Sequence, residues 1–241
     1  MNINEQDVAI DTFFKNMSNV NDPYTILFSK IDKKYLHFLK ETKEINIVES
    51  IKNIKKSVVI SIDIRNSTNL MEQSDLIDYS EFTEKFVEKT IECIKKNYGI
   101  IDRFTGDGIL AFFPDFYAGK DSCGFALNSA ITCHSIFESI SKSRDLKTGF
   151  GIGIDYGDII IRFLNQSVHI MGLTAVHACR IGGIDAGKTA VTKNVYMKLQ
   201  NLINSSLFYE KEIETKSGKM SCYSVKYKMD KNKLELPKWN K

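Results

Sequence analysis

Hydrophobic residues recur along this chain with two different periods, and each period predicts its own kind of element. The near-continuous β-branched run S-V-V-I-S-I-D-I at 57–64 predicts a central strand that is covered on both faces. Apolar residues at helical spacing then predict a long helix over 75–97. Two apolar runs, at 99–104 and 109–113, flank the turn T-G-D-G and predict a β-hairpin.

A second helix and a further strand complete this core. Spacings of three and four predict a helix over 121–143, and T-G-F-G-I-G-I-D at 148–155 predicts a strand whose small alternating positions indicate close packing. The order is therefore β-α-β-β-α-β, the ferredoxin-like arrangement, and we expect an α+β fold, an α/β sandwich with extra C-terminal strands and helices. In this topology the end of the first strand lies beside the start of the hairpin's second strand. Asp63 and Asp107 are therefore expected at the same sheet edge, although 44 positions separate them.

The rest of the chain adds elements on both sides of this core. Beyond the core we expect, in order, a turn at 156–158, a strand at 159–163, a lead-in segment at 169–172, a helix over 173–181, a strand at 189–192, a helix through Leu202, and a hairpin of 207–214 with 220–227. Before the core, apolar residues form a wide helical stripe over 24–39, and 41–56 is more charged but keeps apolar residues at every third position.

These patterns predict three parts of the chain. We expect 1–56 to be an N-terminal helical extension that packs on the main domain or on a second copy of the chain. The main domain is expected over 57–227. The last part, 228–241, is charged and is expected to be a peripheral tail.

Composition excludes several classes of protein. The chain of 241 residues is 43% hydrophobic and 26% charged, as in ordinary globular proteins. Its net charge of +3 is too small for a protein built mainly to bind nucleic acid. The five cysteines are odd in number and show no C-x-x-C pair, which argues against a zinc site or disulfide framework and favours a reducing cytoplasm. The N-terminus does not resemble a signal peptide, and no apolar run is long enough to cross a membrane.

The two aspartates at the expected sheet edge carry the first chemical hypothesis. Two converging carboxylates form a hard oxygen site for Mg²⁺ or Mn²⁺, and the backbone carbonyl of Ile64 offers a third ligand. Two such ions can activate a hydroxyl nucleophile and neutralise a polyphosphate leaving group. The polar stretch R-N-S-T-N at 65–69 is rich in helix-capping residues, and the backbone N–H groups of a helix start there can bind phosphate.

At this point the sequence resembles the class III nucleotidyl cyclases. S-I-D-I-R-N-S-T is similar to their first metal strand, D-I-x-x-[FS]-T, and R-F-T-G-D-G-I-L-A-F-F to their second metal hairpin, K-x-x-G-D-x-x-x-A-x-F. G-I-G-I-D-Y-G-D-I-I, H-I-M-G-L-T-A-V-H-A-C-R and K-S-G-K-M-S-C-Y-S-V resemble three later family segments. The resemblance covers 57–226, in the family's order and with its spacings.

The resemblance implies a head-to-tail homodimer with active sites at the interface, a nucleoside triphosphate substrate, and two Mn²⁺ or Mg²⁺ ions per site. In that family one protomer holds the metals, and the partner supplies the base-reading residues and a transition-state arginine. By this resemblance Asp63 and Asp107, with the carbonyl of Ile64, are the metal ligands. Arg180 stabilises charge on the α-phosphate while the ribose 3′ oxygen attacks it.

The resemblance also implies a triphosphate cradle. The backbone of the loop after the first strand is expected to hold the β- and γ-phosphates. The residues of that loop are Ile64, Arg65, Asn66, Ser67 and Thr68. Either Lys216 or Lys219 is expected to grip the triphosphate, and the loop alignment does not choose between them.

Three positions depart from the purine cyclases. Arg103 stands where adenylate cyclases carry a base-reading lysine and guanylate cyclases a glutamate, and His169 stands where adenylate cyclases carry an aspartate. Val176 replaces the asparagine that orients the ribose. His177 lies beside it, three residues before Arg180, and either replaces the asparagine in function or is a structural histidine.

Arg103 bears on the choice of base. A guanidinium only donates hydrogen bonds, so it suits O2 or O4 of uracil, or O2 and N3 of cytosine. With an arginine at this position, the sequence resembles the single-domain bacterial pyrimidine cyclases of Pycsar antiphage systems. Those enzymes make a cyclic pyrimidine nucleotide that a separate effector protein senses. Two alternatives stay open: Arg103 pairs with Asp102 or another nearby acid and reads no base, or it meets O6 and N7 of guanine.

The leading hypothesis is conversion of UTP to cyclic UMP and diphosphate. The nearest alternatives are the same chemistry on CTP or on a purine triphosphate. A different class of function, a catalytically silent nucleotide-binding regulatory domain, is favoured by Val176 and opposed by the presence of both aspartates and Arg180.

Overall fold

The structure is a computed structural model, and it describes residues 23–42, 54–142, 149–164, 167–200, 202–215, 218–226 and 231–240. The strands are β1 (Ile54–Ile64), β2 (Ile100–Phe104), β3 (Ile109–Pro114), β4 (Phe150–Leu164), β5 (Ser167–Met171), β6 (Lys188–Val191), β7 (Phe208–Thr215) and β8 (Gly218–Val225). They form one sheet in the order β2-β3-β1-β4-β6-β8-β7, and β5 pairs with β4.

Helices surround this sheet. The helices are α1 (Pro23–Phe28), α2 (Lys33–Thr42), α3 (Ser67–Gln73), α4 (Leu76–Lys96), α5 (Asp115–Ala118), α6 (Ser122–Lys142), α7 (Leu173–Ile181) and α8 (Lys193–Leu199). Short 3₁₀ turns follow at Ser205–Leu207, Lys231–Lys233 and Lys238–Asn240. None of the described helices is both long and apolar enough to cross a lipid bilayer.

The β-α-β-β-α-β core is confirmed. β1 runs antiparallel to β3, with Ile62 opposite Ile109, and antiparallel to β4 on its other side. Helix α4 begins after Asp75, whose carboxylate accepts a hydrogen bond of 2.8 Å from the backbone N–H of Ile77. Its apolar face packs with α6 on one side of the sheet, where Phe137 contacts α4 edge to face. The mixed architecture confirms the predicted α+β class.

The N-terminal helices cover the opposite face of the sheet. Leu27, Phe28 and Tyr35 are completely or almost completely buried, and they share one apolar cluster with β1 to β5. The predicted stripe over 24–39 is therefore two helices, and both pack on the sheet of their own chain. The prediction for 41–56 lies almost wholly outside the described residues, apart from the end of α2 and the start of β1.

The C-terminal tail is less peripheral than predicted. Trp239 is 8% exposed, stacks on Tyr117 with ring centroids 5.0 Å apart, and donates a hydrogen bond of 2.7 Å to the Tyr117 carbonyl. It also contacts Tyr35 edge to face. Burial of this large aromatic surface outweighs the charge of the neighbouring residues, so the tail completes the core beneath α2.

Two predicted elements after the core are wrong. The turn expected at 156–158 does not form, because β4 continues without a break through Leu164. β1 begins at Ile54 and provides a partner for that part of β4, and the Lys56 ammonium lies 2.8 Å from the Asp158 carboxylate. The segment expected to lead into α7 forms most of strand β5, which folds back on β4.

Candidate functional site

The turn between β2 and β3 brings Asp107 beside the end of β1. Gly106 has a φ of +78°, and the Thr105 N–H donates a 2.9 Å hydrogen bond to the Gly108 carbonyl, which closes the turn. A Cβ atom on Gly108 would come within 2.8 Å of the Ile62 carbonyl and 3.2 Å of Asp63 Oδ1. Only glycine at this position therefore lets the turn approach the strand that carries Asp63.

The electrostatics of this pair suit a cation. Among the described residues, the buried Oδ2 of Asp107 has no hydrogen-bond partner. Burial raises the pKa of Asp63, the charge of Asp107 raises it further, and the charge and hydrogen bond of Arg65 oppose this. The Arg65 guanidinium pairs with the Asp63 carboxylate. An orphaned carboxylate oxygen beside a second carboxylate is an arrangement that a divalent ion would satisfy.

The donor set fits magnesium or manganese. Within the described ranges, no group of three or more histidine, cysteine or acidic side chains is placed to hold a metal. The oxygen donors available at this sheet edge are the carboxylates of Asp63 and Asp107 and the backbone beside them, where Ile64 is the next residue of β1. A site with few protein ligands, all of them oxygen atoms, suits Mg²⁺ or Mn²⁺, because such an ion keeps several bound waters and also binds the phosphates of a substrate.

The loop after β1 begins helix α3, as predicted. Asn66 lies in the left-handed region with a φ of 60°, a conformation that asparagine tolerates better than most residues. Its side chain does not cap the helix that starts at Ser67. Asn66 and Thr68 are exposed and Ser67 is half-buried, so the first turn of α3 lies at the surface.

Arg103 is held by its own neighbour. Its Nε donates a 2.6 Å hydrogen bond to Asp102, and a terminal nitrogen donates to the Ile170 carbonyl at 3.2 Å. The alternative prediction of an Arg103–Asp102 pair is therefore observed. His169 lies in β5 with its Nδ1 3.6 Å from Asp102 Oδ1, so the structure brings Arg103 and His169 to one carboxylate.

Helix α7 carries the second group of predicted residues. It lies very close to β4, because a Cβ atom on Gly153 would come within 2.0 Å of the Ala178 carbonyl. His177 Nδ1 lies 3.1 Å from Asp155 Oδ2, and Asp155 also accepts a 2.5 Å hydrogen bond from the Thr192 hydroxyl. Burial raises the pKa of Asp155, and these hydrogen bonds oppose that effect. Arg180, one turn further along α7, is exposed.

The predicted triphosphate lysines are not joined to this site by a described contact. Lys216 lies outside the described residues. Lys219 is on the β7–β8 hairpin at the far edge of the sheet, where its ammonium lies 3.5 Å from Glu212.

Sequence reasoning missed two residues that position others. Asp102 entered the prediction only as an acid that would keep Arg103 from binding a base. Asp155 was not predicted as a partner of His177. Both are acids within otherwise apolar strands, and an acid at such a position signals a paired, buried charge. Arg65, which pairs with Asp63, was named only as part of the loop.

Comparisons with known proteins support this fold. No family model matches the chain. An adenylate cyclase of Anabaena cylindrica is 23% identical over 254 aligned residues, which cover 93% of this chain and 47% of that protein. The chain therefore spans about half the length of this curated relative.

Two solved structures share the architecture. The adenylyl cyclase CyaB from P. aeruginosa superposes with a TM-score of 0.65 at 19% identity, over 73% of this chain and 96% of that chain. The guanylate cyclase domain of RhGC from Catenaria anguillulae, solved in complex with GTP, superposes with a TM-score of 0.59 at 18% identity. The match covers 72% of this chain and 98% of that chain. The chain therefore has the fold of a class III adenylate/guanylate cyclase catalytic domain.

Proposed function

We propose that this protein is a nucleotide cyclase that converts a nucleoside triphosphate, UTP by preference, to the 3′,5′-cyclic monophosphate and diphosphate. The convergence of Asp63 and Asp107, with an orphaned carboxylate oxygen, carries the proposal. The cyclase fold supports it. Mg²⁺ or Mn²⁺ bound by these carboxylates and the Ile64 carbonyl would supply Lewis-acid activation and compensate phosphate charge.

The residues of this chain have separate tasks in the proposed reaction. Backbone N–H groups at the start of α3 bind the terminal phosphates, since a helix N-terminus favours anions. Arg180, exposed on α7, stabilises the charge that develops on the α-phosphate as the ribose 3′ oxygen attacks. His177, anchored by Asp155, orients the ribose in place of the asparagine that Val176 replaces.

The preference for a pyrimidine rests on Arg103. Its guanidinium offers donors only, and its hydrogen bonds to Asp102 and the Ile170 carbonyl leave one terminal nitrogen for a base. The side chain is 43% exposed, so the guanidinium remains accessible although it is paired. CTP and the purine triphosphates are the alternatives that the assay below tests.

The active unit is proposed to be a head-to-tail homodimer. Within one protomer, Asp63 lies beside Asp107, whereas Arg103 is bonded to the Ile170 carbonyl of β5. The proposed metal ligands and the proposed base-reading residue therefore belong to two separate groups of contacts. Exposed apolar side chains of Ile54, Met171 and Leu173 lie together around the start of α7. An exposed apolar patch of this kind suits a contact with a second copy of the chain.

The deciding assay uses purified protein with Mn²⁺ and each of the four triphosphates, analysed by mass spectrometry. We expect 3′,5′-cyclic UMP as the main product, and no product from Asp107→Ala. Cyclic product from another triphosphate but not from UTP would reject the base assignment. No cyclic product from any of them, with nucleotide binding intact, would instead favour a silent binding domain.

The proposed role is synthesis of an alarm signal in antiphage defence, read by a separate effector. This rests on the similarity of the Arg103 position to pyrimidine cyclases of that kind. Cyclic UMP measured in cells before and after phage infection tests it. A level that does not rise on infection, in cells that contain active enzyme, contradicts the role but not the activity.

A further inference from the structure

Asp102 is a buried acid in a distorted part of β2. Ile101 pairs with Ala111 and Arg103 pairs with Leu110, so Asp102 is the extra residue of a β-bulge. Its side chain is completely buried. Bulges re-aim side chains, and a buried charge persists only when donors compensate it.

The donors around Asp102 come from three parts of the chain. Oδ2 accepts the 2.6 Å bond from Arg103 Nε, and Oδ1 accepts a 3.0 Å bond from the Ile170 N–H. His169 Nδ1 is buried, has no hydrogen-bond partner among the described residues, and lies 3.6 Å from the same oxygen. Lys30, between α1 and α2, donates to the Ile101 carbonyl at 2.9 Å, and the charge of Asp102 opposes the lowering of its pKa by burial.

These contacts define what the neighbouring side chains can offer a ligand. With Nε and one terminal nitrogen of Arg103 engaged, the remaining guanidinium nitrogen is a fixed donor. A carboxylate that faces Nδ1 of His169 favours the tautomer with the proton on that nitrogen, which makes Nε2 an acceptor. Arg103 and His169, which lie at the same carboxylate, then offer a ligand one donor and one acceptor.

We infer that Asp102 is a positioning residue for base selection: it holds Arg103 as a donor and His169 as an Nε2 acceptor that together read the uracil edge. The N3–H of uracil can donate to His169, and a carbonyl oxygen on either side of it, O2 or O4, can accept from Arg103. Uracil therefore fits this donor and acceptor in either of two orientations. Cytosine presents the needed donor and acceptor in one order only. The inference rests on the proposed cyclase function.

The enzymatic test compares Asp102→Asn with Asp115→Asn. Asparagine has a single acceptor oxygen for the donors of Arg103 and Ile170, and it carries no charge to set the His169 tautomer. We expect a KM for UTP about tenfold higher, a kcat within about threefold of wild type, and a preference for UTP over the other triphosphates reduced about tenfold. Asp115 accepts bonds from Ser122 and Tyr156, outside the proposed base-binding group, so its variant should keep wild-type selectivity.

A second measurement does not depend on turnover. Nitrogen-15 spectra of histidine-labelled wild-type protein, with His169→Gln to assign the signal, report which ring nitrogen carries the proton. Protonation at Nδ1 alone supports the inference. A proton on Nε2, with or without one on Nδ1, overturns it, as does unchanged selectivity in a folded Asp102→Asn protein whose wild type prefers UTP. If the wild type cyclises no triphosphate, the proposed function fails, and the inferred role in base selection fails with it.

Discussion

The Nδ1 atom of His177 lies 3.1 Å from the carboxylate of Asp155, which is only 3% exposed beneath helix α7. A buried carboxylate that also accepts hydrogen bonds from Thr192 and the Tyr156 N–H is firmly fixed. It therefore fixes the imidazole, and the orientation of the ring follows from the packing of α7 on β4. A fixed, half-exposed ring is what the proposed role of His177 in orienting the ribose requires.

We expect His177→Ala to lower kcat by about tenfold to a hundredfold, because a small misplacement of the reacting ribose is costly. Asp155→Asn should give a smaller loss, since its amide still fills the same space. Initial rates with UTP and Mn²⁺ provide the measurement. Thr192→Val is the matched control, because it removes one support of Asp155 and leaves the His177 contact in place. Wild-type kcat in His177→Ala would mean that the histidine is structural.

The metal prediction concerns thermal stability as well as activity. A saturating ion stabilises the folded state, by about 2.7 kcal/mol at a hundredfold excess over Kd. Differential scanning fluorimetry should therefore show a clear rise in Tm with MnCl₂ for wild type and none for Asp107→Ala. Without metal, Asp107→Ala should be no less stable than wild type, because it removes a buried acceptor that has no partner among the described residues.

The matched control for this prediction is Asp158→Ala. That carboxylate is exposed and lies 2.8 Å from the Lys56 ammonium, toward the opposite end of β1 from Asp63. It should keep the full Mn²⁺ response. An equal response in Asp107→Ala and wild type would show that Asp107 does not bind the ion.

Mixing two inactive variants tests the interfacial site. Asp107→Ala and Arg180→Ala should each be inactive alone. In a homodimer that shares its sites, an equal mixture forms hybrids with one intact site, so about a quarter of wild-type activity should return. Activity is measured after the subunits have been allowed to exchange. A mixture that stays inactive, although exchange is verified with tagged subunits, would place both residues in the site of a single protomer.

The pH prediction concerns His134, which has no part in the proposed chemistry. Burial, with a contribution from Lys188, lowers the pKa of His134 from 6.5 to about 4. The ring stacks on Phe150 at 4.6 Å, and its Nε2 lies 3.1 Å from the Thr189 hydroxyl. The folded state therefore favours the neutral ring, whereas the unfolded chain accepts a proton near pH 6.5.

The sign follows from this difference. Between pH 6.5 and about 4 the unfolded state binds more protons, so stability falls as the pH falls, by about 3 kcal/mol in all from this group. Urea unfolding of wild type and His134→Gln at pH 7 and pH 4.5 measures it. The variant should start from a lower stability and lose less of it on acidification. Equal losses in both proteins would contradict the assignment.

The sequence alone determined the core topology and the pairing of the two aspartates. The period of hydrophobic residues distinguishes strands from helices, and the β-α-β-β-α-β order allows few arrangements, so the sequence predicts Asp63 and Asp107 at one edge of the sheet. The glycines on both sides of Asp107 predict the tight turn that carries it, because such a turn needs backbone angles that few other residues adopt.

Only the tertiary structure decided which partners these side chains meet. The glycine and the aspartate at 157–158 predict a turn, yet β1 extends far enough to keep them in a strand. Trp239 lies in a charged tail, yet it is buried against Tyr117. The contacts of Asp102 with Ile170 and of Asp155 with His177 depend on a bulge and on helix packing across the sheet. Local periodicity does not encode such long-range contacts, and they determine which donors and acceptors the site presents.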